Sequence, residues 1–130
     1  HWSPGEHTGT FRGQGISFIA GKVAMDYFQD DSFMAEVRRK GEIMEKRLKK
    51  MAGPGMEVRG KGMMQGLDTK DGAFAKKVVA ECFNQGLLLG GCGTEGRVAK
   101  LIPPLTIDDA DLDEGLNIME TAMQTVMVPA

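Results

Sequence analysis

The sequence predicts an α+β domain: a small, mostly antiparallel three-stranded sheet with helices packed on one face. Three observations lead there. Apolar residues recur at helical spacing before Gly53, between Asp71 and Gln85, and after Thr106. Between these stretches lie three short segments of extended character, punctuated by glycine and proline. The order is then long helix, strand, helix, strand, strand, helix, which folds as one layer of helices on one small sheet. A length of 130 residues suits a single domain with a real core.

From Gln14 to about Phe28, Ile16, Ile19, Val23 and Tyr27 fall on one helical face. Gln29-Asp-Asp-Ser32 interrupts, and Asp31 or Ser32 is a good N-cap for a second helical stretch. There Phe33, Val37, Met44, Leu48 and Met51 form an apolar stripe with Gly41 in the same row. Arg38, Arg39, Lys40, Glu45, Lys46, Lys49 and Lys50 form a solvated face. Gly53-Pro54-Gly55 ends the helix. Met56 to Leu67 reads as extended chain with a tight turn or close backbone approach at Gly60, Gly62 and Gly66. Asp71 to Gln85 is a helix with Phe74, Val78, Cys82 and Phe83 inward, closed by Gly86. Leu87 to Leu89 reads as a short buried strand, Gly90 to Gly93 as a loop, and Val98 to Leu101 as a strand stopped by Pro103-Pro104. Thr106 is expected to cap the last helix, whose stripe is Leu112, Leu116, Met119, Met123 and Val126. The first helix should carry apolar surface that this chain alone cannot cover.

Composition excludes several classes. The net charge is −2 with both signs interspersed, so no nucleic-acid or membrane-surface partner is indicated. The apolar runs are too short for a transmembrane helix or signal sequence. Cys82 and Cys92 make neither a disulfide framework nor a Cys-x-x-Cys site, which fits a reducing, cytoplasmic setting. His1, Glu6 and His7 lack convincing zinc spacing. No nucleophile is placed beside His7, so no catalytic residue is assigned.

The stretch with the most chemistry is Pro4-Gly-Glu-His-Thr-Gly-Thr-Phe-Arg-Gly13. A Gly/Thr turn running into a helix N-terminus is an anion cradle or simply a loop. From the residues alone Thr10 is a phosphate donor or a helix-entry cap, and Lys100 is an ordinary strand lysine.

That stretch resembles the Gly-Glu-His-x-x-Thr-[Phe/Tyr]-x-Gly motif of class III aminotransferases. Val58-Arg-Gly-Lys-Gly-Met-Met-Gln-Gly66 is similar to the family's Val-Arg-Gly-x-Gly-Leu-Met-x-Gly strand. Gly86-Leu-Leu-Leu89 resembles the strand after its next helix, and Lys100-Leu-Ile-Pro-Pro-Leu-Thr-Ile107 its Arg-x-x-Pro-Pro-Leu-x-Ile segment. The likeness covers nearly the whole chain. It implies the C-terminal part of the aspartate-aminotransferase fold type, with residues 1–30 the tail of a cofactor-binding domain and 31–130 the C-terminal small domain. It implies pyridoxal 5′-phosphate as cofactor, with Thr10 and Gly9 contacting its phosphate across a dimer interface.

In the family an arginine at the position of Lys100 binds the α-carboxylate of glutamate or 2-oxoglutarate. Lysine there offers a point charge in place of a bidentate fork. Arg12, Met63-Met64 and Leu105-Thr-Ile-Asp-Asp-Ala-Asp-Leu-Asp-Glu-Gly-Leu116 resemble the branch that converts glutamate and aspartate 4-semialdehyde to 2-oxoglutarate and 2,4-diaminobutyrate in ectoine biosynthesis. Family members acting on ornithine, acetylornithine or 4-aminobutyrate are the alternative enzymes; a free-standing interaction module is the non-catalytic one. The lysine that anchors the cofactor covalently precedes the Gly-Glu-His motif in the family. Lys22, Lys61 and Lys70 do not match it, so the chain alone is expected to be inactive and to hold no cofactor.

Overall fold

The computed structural model describes residues 1–127. The chain forms two compact units, His1–Ala35 and Glu36–Ala130. In the first, a turn-rich stretch leads into helix α1 (Gly15–Met25), followed by a 3₁₀ turn over Asp26–Phe28. None of the α1 residues is buried. Ile16 is 83% exposed, Phe18 and Ile19 68% each, so the apolar face predicted to lie open does so. Tyr27 and Phe28 stack on Phe33, with ring centroids 5.0 and 5.6 Å away. Helix α2 (Ser32–Met51) starts beside Asp30, whose carboxylate accepts from the Ser32 N–H at 2.8 Å. Asp31 holds the expected N-cap position, its carbonyl accepting from the Ala35 N–H at 2.8 Å, while the side-chain bond to this end comes from Asp30.

The second unit holds most of α2, then strands β1 (Glu57–Lys61) and β2 (Met64–Asp68), helix α3 (Gly72–Asn84), strands β3 (Gly90–Cys92) and β4 (Val98–Leu101), and helix α4 (Asp109–Met127). The sheet is antiparallel throughout, in the order β1-β2-β4-β3. It has four strands where the sequence predicted three. Met56 to Leu67 is a hairpin: Gly62 and Met63 form a two-residue loop, and Gly62 sits at φ +57, as the first position of a type II′ turn requires. The backbones approach closely at Gly60, φ +122, where a Cβ would stand 2.2 Å from the Met64 carbonyl oxygen.

A second correction concerns β3. Leu87 to Leu89 is not a strand, and Leu88 is 83% exposed. The pairing segment is Gly90–Cys92, which was expected to be a loop. Its partners on β4 are Lys100, Ala99 and Val98. Glycine is a poor strand former, but on this edge its missing side chain leaves room for the long side chain of Lys100 opposite. Helix α3 buries Val78 and Cys82 as predicted, whereas Phe83 is 67% exposed because it lies about 100° round the helix from Cys82.

Two polar assignments also change. The N-cap of α4 is Asp108, whose side chain accepts from the Asp111 N–H at 2.8 Å; Thr106 lies within the preceding turn, closed by Ile107 N–H on Pro104 O. Lys40 is not on the solvated face. It is buried and its ammonium donates to the Ile107 carbonyl. Other cations of α2 reach α4 instead: Arg47 bonds Asp113 and Glu120 at 2.8 Å each, and Arg39 bonds Asp109 at 2.6 Å.

The core of this unit joins Met44 and Leu48 of α2, Leu67 of β2, Ala99 of β4, Val78 and Cys82 of α3, and Leu116, Met119 and Met123 of α4. Along β2 the side chains alternate, so Gln65 and Leu67 share one face with Ala99 and Leu101 of β4. Gln65 ties that face to α2: its amide donates to Gly41 O at 2.7 Å and to Gly62 O at 2.6 Å. The opposite face carries Arg59, Gly66, Asp68, Val98 and Lys100. Among the described residues no helix is long and apolar enough to cross a membrane.

Candidate functional site

The first site element is the loop before α1. Arg12 N–H donates to Gly9 O at 3.1 Å, and the Arg12 guanidinium donates to His7 O at 3.0 Å and to Thr8 O at 3.3 Å. These bonds draw residues 7–12 into a closed turn. Gly9 sits under the guanidinium; a Cβ there would lie 3.3 Å from Arg12 Nε. Thr10 stands exposed, and among the described residues its hydroxyl has no side-chain or backbone partner. It does not cap α1, whose N-cap position is Gln14 with no side-chain bond to the helix. The imidazole of His7 packs edge-on against Trp2 at 4.2 Å between centroids. His1, Glu6 and His7 form no metal-binding group, and none exists among the described residues.

The second element is on the sheet. Lys100 lies mid-strand on β4, opposite Gly66 on β2 and Gly90 on β3. Its stem lies along the edge strand, with Cε 3.4 Å from where a Cβ on Gly90 would stand. The side chain lines an open depression of about 370 Å³ with Leu88, Leu89, Gly90 and Ile102. No carboxylate pairs with it among the described residues. A half-buried cation between apolar walls is suited to a carboxylate carried on a short aliphatic arm, because the walls take the arm and the cation has no other counter-charge among the described residues. Thr10 and Lys100 belong to different compact units.

Sequence reasoning missed the charge cluster beside Lys100. Asp68, at the end of β2, is fully buried. Arg59 of β1 donates to it; Lys70 reaches it with its backbone N–H at 3.0 Å and its ammonium at 3.1 Å; Arg97 reaches it with Nε at 3.1 Å. Glu57 shares Lys70 at 2.8 Å. Burial would raise the Asp68 carboxyl, but the bonds from Lys70 and the charges of Arg59 and Arg97 prevail and hold it below its ordinary value of 3.8. The signal was available once the hairpin register was known: Glu57 stands opposite Asp68, with Arg59 two residues along the same face.

Comparison with known proteins identifies the family. The family model described as aminotransferase class-III matches residues 1–123. The chain belongs to the class III aminotransferases. That family depends on pyridoxal phosphate. The chain is 42% identical to the diaminobutyrate–2-oxoglutarate transaminase of Nocardia farcinica, over 96% of this chain and 29% of that protein. It is also 42% identical to the protein of the same name from Halomonas elongata, over 93% of this chain and 30% of that one. The chain thus spans less than a third of the curated relatives it matches. Among solved structures, a phospholyase from Arthrobacter superposes with a TM-score of 0.75 at 25% identity, covering 88% of this chain and 29% of that one. The ornithine aminotransferase of Toxoplasma gondii superposes with a TM-score of 0.76 over 96% of this chain and 30% of that one; at 24% identity it supports the fold alone.

Proposed function

We propose that this chain is the C-terminal part of a transaminase that moves an amino group from glutamate to aspartate 4-semialdehyde, giving 2,4-diaminobutyrate and 2-oxoglutarate, the reaction that opens ectoine biosynthesis. The observation that carries this reading is the likeness, near 40% over almost the whole chain, to several proteins named for that reaction. The placement of Lys100 supports it: an unpaired cation in an apolar depression is what a dicarboxylic amino acid requires.

In this reading residues 1–30 continue a cofactor-binding domain and residues 31–130 are the small domain. The last three residues of that range lie outside the described ones. Thr10 and the Gly9 backbone N–H hold the cofactor phosphate. The exposed, unpartnered Thr10 hydroxyl on a glycine-bearing turn fits that role. The cofactor supplies the electron sink for amino transfer. Lys100 holds and orients the substrate carboxylate, and the leucines beside it offer apolar surface to the substrate's aliphatic arm. With a single ammonium in place of a guanidinium fork, orientation relies on the apolar walls as much as on the ion pair. The working assembly is a homo-oligomer, a dimer or higher, in which the apolar face of α1 is covered. The protein acts in the cytoplasm on small amino and keto acids, without nucleic acid or membrane.

Substrate profiling of the full-length protein tests this. We expect the highest kcat/KM with 2,4-diaminobutyrate and 2-oxoglutarate as the reverse pair. A preference for ornithine, acetylornithine or 4-aminobutyrate would replace the specific reaction while leaving the family. No turnover with any amino donor would favour a non-catalytic module.

A further inference from the structure

Three cations crowd the sheet face that carries Lys100, and one buried carboxylate holds all of them. Asp68 binds Arg59, Lys70 and Arg97, drawn respectively from β1, the loop after β2 and the entry to β4. Thr69 adds to the last of these: its N–H and its hydroxyl reach the Arg97 carbonyl at 3.0 and 2.9 Å. The start of β4 is therefore gripped by both side chain and backbone, and Val98, the next residue, pairs directly with Asp68. Lys100 lies two residues further along the same face. A one-residue slip of β4 would carry Lys100 to the helix-covered face. Asp68 also fixes Lys70 at φ +61, a left-handed backbone that a non-glycine residue holds only when its surroundings enforce it. Of the cations on β2, β4 and their flanking loops, Lys70 and Arg97 have an acidic partner and Lys100 has none among the described residues.

From this geometry we infer that Asp68 is a positioning residue for carboxylate recognition: it locks the β2–β4 register that presents Lys100, and it keeps the neighbouring cations from competing for the substrate. The inference rests on the reading of Lys100 given above and extends it to a residue that never touches substrate. Two consequences follow for Asp68→Asn. The entry to β4 loosens, Arg97 loses its acidic partner, and Arg59 and Lys70 are left with Glu57 alone, so a dicarboxylate acquires an unproductive place to bind near Lys100.

The test uses the full-length holoenzyme and a cycle of Asp68→Asn, Lys100→Met and the double variant, with KM for glutamate and kcat measured separately. Asp68→Asn should raise KM on the order of tenfold and strengthen inhibition by excess dicarboxylate, with kcat little changed. In the Lys100→Met background the same change should alter KM by less than about twofold, because the group it positions has gone. Asp68→Glu should recover most of the loss. Should Asp68→Asn fold poorly, Arg97→Gln removes one of its contacts, and should raise KM in the same direction while speeding hydrogen exchange at Val98–Leu101. Effects of Asp68→Asn and Lys100→Met that simply multiply, or a Asp68→Asn variant that loses thermal stability with KM unchanged, would overturn the inference and leave Lys100 in place. A Lys100→Met variant with unchanged KM would overturn the substrate reading itself, and this inference with it.

Discussion

Two helical glycines in the second unit have the same intrinsic cost and should respond in opposite directions to alanine. Each glycine in a helix interior costs about 1 kcal/mol relative to alanine. At Gly115 of α4 a new Cβ would meet only the Leu87 Cδ1 at 3.4 Å, the end of a flexible side chain. Gly115→Ala should therefore stabilise the chain by about 0.5–1 kcal/mol. At Gly41 of α2 a Cβ would lie 2.7 Å from both the carbonyl carbon and oxygen of Gly62, and 2.8 Å from its Cα. That obstacle is backbone, at the tip of a two-residue hairpin loop, and it cannot rotate away. The helix must move off the sheet, which also stretches the two bonds that Gln65 makes to Gly41 O and Gly62 O. Forced overpacking costs about 1–3 kcal/mol, and weakening a buried hydrogen bond about 1 kcal/mol more. These outweigh the propensity gain of about 1 kcal/mol, so Gly41→Ala should destabilise by about 1–3 kcal/mol. Urea unfolding followed by circular dichroism gives both values from the midpoints, provided the slope is unchanged. Gly41→Ala as stable as the parent, or more so, would refute the proposed contact between α2 and the hairpin tip.

Acidification tests Asp68. Its carboxyl is lowered in the folded chain, so the stability it contributes is present above the ordinary carboxylate range and is lost as pH falls through that range toward the lowered value. Asp68→Asn should be less stable at neutral pH and should lose less on acidification than the parent, read from urea midpoints at several pH values. The Arg47 bonds to Asp113 and Glu120 should make α4 packing salt-sensitive: Arg47→Met should lower the unfolding midpoint, by less at high salt than at low salt. Burial pushes the Cys82 thiol up to about 11, whereas Cys92 is half-exposed. An aromatic disulfide reagent should therefore modify Cys92 in the native chain and reach Cys82 only on unfolding; two equally fast thiols would contradict the packing of α3.

The helices were legible because their stripes are long and regular. Val37, Met44, Leu48 and Met51, and Leu112, Leu116, Met119 and Met123, repeat at the period that buries one face. The β3 edge was not legible, because a strand of Gly90, Gly91 and Cys92 has no side-chain pattern to read. Its register comes from hydrogen bonds to β4, while the neighbouring Leu87–Leu89 run carries the apolar signal and forms a groove with Ile102 and Pro103. Lys40 misled for a related reason. A long side chain can leave the polar face of its helix and carry its charge to a distant carbonyl, here Ile107 O, which no periodicity reveals. At the site, the motifs around Thr10 and Lys100 were visible as residue types at recognisable spacing. The role of Asp68 was not, because it depends on three cations that meet only through the strand order β1-β2-β4.

The most direct test of the proposed carboxylate site is the structure of the full-length protein with 2-oxoglutarate bound. We expect the Lys100 Nζ within about 2.7–3.2 Å of a carboxylate oxygen, with Leu88, Leu89 and Ile102 against the aliphatic arm. A bound 2-oxoglutarate whose carboxylates are both held elsewhere, with the Lys100 ammonium facing solvent, would contradict it.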